Sequence, residues 1–241
     1  MSMSHGASTS SLVSLRPLLE VRTYAYDLLR LAFLAEPSRA FVESLKGGGP
    51  LRDFPLADES KLLAEGAAEA ADWMSRPDAA DDAFYEALHW DYTRMFIGPD
   101  RLPAPPWESA YLNDERLLFQ KETLEVRKAY MKYELAPREL GREADDHVGL
   151  ELGFMFRLSS LAAERAEEED AAGLTAVVVD QAAFLDNHLL RWVPQFSHDV
   201  AASAETGFYR GMARVLQGFL EVDRRALQET LETLRGPVES Y

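Results

Sequence analysis

"VGLELGFMFRLSSLAA", residues 148–163, is apolar almost all the way round when wound at 3.6 residues per turn. A surface helix is apolar on one stripe only, so a segment greasy on every side needs neighbours on every side. The stretch predicts a central buried helix over 143–168, with other helices packed around it. Its acidic start, Glu143, Asp145 and Asp146, suits the positive end of a helix dipole.

Working outward, the flanking segments carry the same period. Residues 15–34 place Leu15, Leu18, Leu19, Arg22, Tyr26, Leu29 and Phe33 on one side, a stripe with a single charged intruder that ends before Pro37. Ser38 can cap a short helix carrying Phe41, Val42 and Leu45, closed by Gly47, Gly48 and Gly49. Asp58 opens another helix, with Leu62, Leu63, Ala67, Ala70 and Trp73 as its apolar stripe. Over 81–96, Phe84, Leu88, Tyr92 and Met95 share a face and Trp90 lies off it. Residues 114–135 read as a long helix with Leu117, Leu124, Lys128, Met131 and Leu135 on one side. Further helices are expected over 174–192 and 205–235, broken at Pro194. No run alternates with period two between turn signals, so no sheet is expected. The fold class is all-α: a single globular helical domain of roughly ten helices over 13–241, behind a polar, serine-rich tail at 1–12 expected to be disordered.

Composition narrows the function. The chain has no cysteine, which excludes disulfides, thiolate metal sites and cysteine nucleophiles. A net charge of −16 argues against nucleic-acid binding and favours cationic partners. The N-terminus has neither a basic nor an apolar signal region, and the longest apolar run stops at Asp180. The expectation is a cytoplasmic protein with no stable membrane insertion.

Three segments carry unusual chemistry. "WDYTRMFIGPDRLPAPPWESAY", residues 90–111, stiffens its backbone with Pro103, Pro105 and Pro106 before Trp107. Such a connector suits a docking surface, because little freedom is lost on binding, and equally suits a loop pinned over the core with Trp107 as its plug. "EADDHVGLELGFM", residues 143–155, sets His147 and Glu151 one helical turn apart, with Asp146 beside His147. That trio could act as a general base, a metal site, an anionic patch for arginine or lysine, or a capped helix start. Zinc helices usually supply a second histidine where this chain has Glu151. "FLDNHLLRWVPQF", residues 184–196, repeats Phe184, His188 and Trp192 at four-residue steps, a spacing more often used for packing than for a cofactor. No phosphate-binding loop, nucleophile elbow or HExxH motif is present, and nothing assembles a nucleophile with its base. No catalytic residue, metal ligand or cofactor is expected.

In this order, on an all-helical chain, the three blocks resemble the TorD/DmsD/NarJ-type redox-enzyme maturation chaperones over about residues 20 to 220, the PPWES block most of all the TorD/DmsD branch. The resemblance implies a cytoplasmic protein, monomeric or a helix-exchanged homodimer. Its implied partners are the catalytic subunit of a molybdopterin oxidoreductase and that subunit's N-terminal twin-arginine leader peptide. The chaperone would assist cofactor insertion and delay export until maturation. By motif position, the implied leader-binding residues are Trp90, Tyr92, Phe96, Gly98, Pro99, Pro106, Trp107, Glu108, Asp146, His147 and Glu151. The chain departs from the pattern at Met95, where leucine is common, and at Gly153, where glutamate is common. Trp90, Phe96 and Trp107 would contact the leader's apolar part, and Glu108, Asp146 and Glu151 would face its arginines. Two other readings are a chaperone for a non-exported, nitrate-reductase-type client, and a metal-dependent enzyme built on Asp146, His147 and Glu151.

Overall fold

The computed structural model describes residues 9–78, 81–99, 101–112, 121–135 and 144–236. Among these described residues eleven α-helical segments follow in order: α1 (Thr9–Phe33), α2 (Arg39–Leu45), α3 (Gly49–Arg52), α4 (Lys61–Met74), α5 (Asp82–Phe96), α6 (Ser109–Leu112), α7 (Lys121–Met131), α8 (Val148–Glu167), α9 (Ala171–Phe184), α10 (Leu190–Ser203) and α11 (Gly207–Arg235). A π turn, Leu185–Leu189, joins α9 to α10 without a break, so the segments make ten rods. Among the described residues there is no strand, only one isolated bridge. The fold is a single all-α domain, as its periodicity predicts.

As expected for its apolar girth, α8 is central, packed between α1 and α9. On the far side α4 lies along α11, close enough that a Cβ at Gly66 would come within 2.7 Å of the Gly211 carbonyl oxygen. Only glycine permits that approach. The caps follow local chemistry: Ser38 Oγ accepts from Phe41 N at 3.1 Å, and Thr206 Oγ1 accepts from Tyr209 N at 3.3 Å. Ser60, rather than the expected Asp58, caps α4.

Several expectations are corrected. Residues 9–12, read as tail, belong to α1, and Leu12 is buried there because it packs into the core cluster. Residues 1–8, 114–120 and Glu143 lie outside the described residues. On α7 the buried face is Thr123, Val126 and Tyr130, while Leu124 and Met131 are exposed. The inner side of α7 meets a polar joint, so Thr123 and Tyr130 anchor it by hydrogen bonds on either side of Val126. Pro194 does not break its helix; it lies in the first turns of α10, directly after the wide π turn that eases the backbone around its ring.

Candidate functional site

The proline segment is stitched to the start of α8. Trp107 and His147 form an antiparallel bridge, with Glu108 N donating to Asp146 O at 3.0 Å and Val148 N to Pro106 O at 2.8 Å. Side chains tighten the seam. Asp146 accepts from Ser109 N at 2.9 Å, capping α6 from outside, and from Thr123 Oγ1 of α7 at 2.9 Å. Asp145 pairs with Arg127, and its carbonyl accepts from Tyr130 Oη at 2.9 Å. The Trp107 ring stands edge-on to His147, centroids 6.0 Å apart.

The third segment closes the joint from behind. The π turn presents His188, whose Nδ1 lies 2.9 Å from a Glu108 carboxylate oxygen. One turn on, Trp192 Nε1 donates to Glu151 Oε2 at 3.3 Å. The Phe184–His188–Trp192 stripe is thus a packing stripe whose two polar tips reach the other two motifs. Sequence reasoning left His188 and Trp192 out of the site, although their spacing marked them.

Burial sets the electrostatics. Glu108, Asp146 and Glu151 are fully enclosed, and His147 is 4% exposed. Desolvation lowers the His147 pKa to about 4, against a smaller opposing pull from Asp146. Neutral His147 accepts the Gly149 N–H at Nδ1, 3.1 Å, and so caps α8. Burial raises the Glu151 pKa well above its ordinary value, and the nearby Glu108 and Asp146 carboxylates push it the same way. Glu151 therefore holds its proton more tightly than an ordinary carboxyl, and its Oε1 has no hydrogen-bond partner among the described residues.

The eleven residues implied by motif position separate into three groups. Pro106, Trp107, Glu108, Asp146, His147 and Glu151 meet in the joint, where only Trp107 keeps part of its surface, at the half-buried level. The three carboxyls form no lip facing outward, because the stitched segment covers them. Tyr92 and Phe96 lie in the core instead of lining a groove: Tyr92 Oη donates to Phe33 O at 3.1 Å, and Phe96 packs on Phe33, Phe196 and Tyr209. Trp90 is 63% exposed, and Gly98 and Pro99 follow at the outer end of α5. Their neighbour Asp91 holds the start of α11 through Thr206 N at 2.8 Å and Thr206 Oγ1 at 2.7 Å. Among the described residues no group of three or more His, Asp or Glu side chains is arranged to hold a metal ion. No described helix is long and apolar enough to cross a membrane.

Beside the joint lies an open cavity of about 370 Å3, lined by Leu34, Tyr130, Leu135 and the α8 residues Gly149, Leu150, Gly153, Phe154 and Phe156, with Arg30 at its rim. That volume falls in the range of about 300–1,000 Å3 typical of ligand clefts. Tyr130 and Gly149 belong to both joint and cavity wall.

Comparison with known proteins places this geometry. The chaperone protein TorD of Aliivibrio salmonicida is 31% identical over 147 residues, which is 61% of this chain and 66% of that protein, just under two thirds of its length. TorD of Vibrio cholerae (strain O395) is 29% identical over 177 residues, 73% of this chain and 78% of the relative. Both relatives are named as chaperones and not as enzymes. A crystal structure of a candidate redox enzyme maturation protein from Archaeoglobus fulgidus shares the fold at a TM-score of 0.50 and 22% identity, covering 83% of this chain and 93% of that one. The family model described as nitrate reductase delta subunit matches residues 57–198, a span that holds all three motif blocks. The chain belongs to that family, the TorD/NarJ-type redox-enzyme maturation chaperones.

Proposed function

We propose that this chain is a cytoplasmic maturation chaperone for a molybdopterin-containing oxidoreductase. It holds the N-terminal twin-arginine leader and the apo form of the catalytic subunit, assists cofactor insertion and delays export until the subunit is complete. The observation that carries the reading is the meeting of three motif blocks in one buried joint at the edge of an open apolar hollow. A leader's uncharged stretch needs such a hollow. Burying one leucine-sized side chain there contributes about 1.5–3 kcal/mol. Two or three such contacts, together with two hydrogen bonds to the leader's charged groups at about 1.5–3 kcal/mol each and less the cost of ordering a free peptide, are compatible with micromolar affinity, roughly −8 kcal/mol. The role is capture and release, with no bond made or broken by the chaperone.

Calorimetry with the client's leader peptide tests this. Trp107→Ala is expected to weaken leader binding more than it lowers stability, since Trp107 keeps part of its surface exposed and rests on the His147 cap. Unchanged affinity in the folded variant would remove Trp107 from the reading. The matching family description, a nitrate reductase subunit, favours one second reading: a client that stays in the cytoplasm and has no leader. Co-purification of the bound subunit, followed by sequencing of its N-terminus, separates the two.

A further inference from the structure

Glu108, Asp146 and Glu151 are sealed beneath the Trp107 segment, so they meet no cation from outside while the joint is closed. Exposed acid lies elsewhere. Between α1 and α8 runs a trough of about 410 Å3, lined by Glu20, Asp27, Glu164 and Glu167, with Tyr24 and Phe156 offering aromatic faces. No basic residue is among those lining it, although Arg30 pairs with Asp27 and Arg157 with Glu164.

We propose that this trough takes the arginines of the leader while the apolar residues that follow occupy the adjoining hollow. The inference rests on the leader-binding reading above and names the surface that performs it. Phe156 lines both cavities, so they adjoin at that ring. At the divide sits an arginine of the chain itself: Arg30 pairs with Asp27 and stacks over Phe156, 4.7 Å from the ring centroid. Carboxylate at the edge and aromatic at the face are what a guanidinium seeks. Further along, Glu20 and Glu167 are exposed and have no ion pair among the described residues. Glu164 is held only by a surface pair with Arg157 at 3.1 Å, a partner readily exchanged.

The spacing fits one extended segment. From Glu20 to Leu34 is two helical heptads, about 21 Å at 1.5 Å per residue. An extended peptide covers that in about six or seven residues. Adjacent arginines followed within that distance by leucines would therefore reach both cavities. Tyr24, Leu31 and Leu34, exposed by 45, 40 and 37%, give the same face of α1 an apolar ridge along the path. A second copy of this chain is a poorer occupant, because its own charge of −16 would set acid against acid.

The test uses the full chain, calorimetry, and a synthetic peptide with two adjacent arginines followed five residues later by three leucines. A control peptide carries glutamines in place of the arginines. Two variants probe the two cavities: Glu20→Gln with Glu167→Gln, and Gly153→Leu. A Cβ at Gly153 meets no atom within 4 Å, and leucine is the better helix former, so Gly153→Leu fills the hollow while holding or raising the melting temperature. The double variant is expected to weaken the arginine peptide about tenfold, towards the affinity of the control, and to leave the control unchanged. Gly153→Leu should weaken both peptides about tenfold. If the arginine peptide binds wild type and both variants alike, the trough assignment fails and the leader reading survives. Loss of binding to wild type itself would overturn both. A dimer seen by light scattering and abolished by Gly153→Leu would assign the hollow to self-association and overturn the proposal.

Discussion

Two of the buried polar clusters in this domain are opposite in their chemistry. In the first, Arg22 of α1 makes a two-pronged pair with Asp223 of α11, and Tyr26 Oη donates to the same carboxylate at 2.6 Å. Gln181 accepts from Arg22 at 3.2 Å and passes a hydrogen bond to Ser159 at 2.9 Å. Burial works against the Arg22 charge, but Asp223 outweighs it and the pKa moves up. Charge is matched one to one. The second cluster, the joint, brings Glu108, Asp146 and Glu151 together around His147 and His188. It is tolerated because burial and the neighbouring carboxylates favour the protonated form of Glu151, and Asp146 receives a backbone N–H and a hydroxyl. The first cluster can only hold helices together, since nothing in it is left over. The second lies beside an open hollow and leaves Glu151 Oε1 without a partner. A family's motif residues can thus be interior carpentry for a surface that other residues present.

The sharpest way to break the contrast is Arg22→Met. It leaves Asp223 buried without its counter-charge, and urea denaturation should register a loss of about 3–5 kcal/mol. A loss under 1 kcal/mol would mean the pair is not closed as described. The next test is pH. His147 titrates near 4 when folded and near 6.5 when unfolded, so the unfolded chain takes up its proton first. Stability from this group is complete above pH 6.5 and falls away between 6.5 and 4, by about 3 kcal/mol at most. Glu151 acts in the opposite sense, because its raised folded pKa favours the native state at low pH and that benefit is lost as pH rises above the ordinary carboxyl value. His147→Asn keeps a capping side chain and removes the titration. Its stability should therefore decline less between pH 6.5 and 4 than that of wild type, read from denaturation midpoints. An unchanged acid limb would show that His147 is protonated in the folded state. The smallest effect belongs to Trp90→Ala, which lies in neither cluster. At 63% exposure it should change stability by less than about 0.5 kcal/mol, and a larger shift in melting temperature would place Trp90 against an unrecognised partner.

Much of this architecture is legible in the sequence, residue by residue. The α5 stripe of Phe84, Leu88, Tyr92 and Met95 is buried as spaced, with Trp90 outside it. The girth of residues 148–163 gives the central helix. Arg22 is visible as an intruder, but its partner lies 201 residues away, and periodicity carries no information about such a pairing. The α7 face is misread for a related reason. Its inner neighbours include the Asp146 carboxylate and the Asp145 carbonyl, so Thr123 and Tyr130 turn inward beside Val126, while Leu124 and Met131 turn out. The motif residues are found by pattern, yet their depth is not, because carboxylates are ordinarily solvated and nothing local announces three in one enclosure.

The π turn at Leu185–Leu189 has a last consequence. One residue more than an ordinary turn holds is wound in there, and each residue swings the rod by about 100°. Delete that residue and every side chain downstream would rotate together, carrying the Trp192 indole off Glu151 and the Phe196 ring out of its aromatic nest. The rod from 171 to 203 is therefore a phased part, like a camshaft, whose length is fixed to the residue.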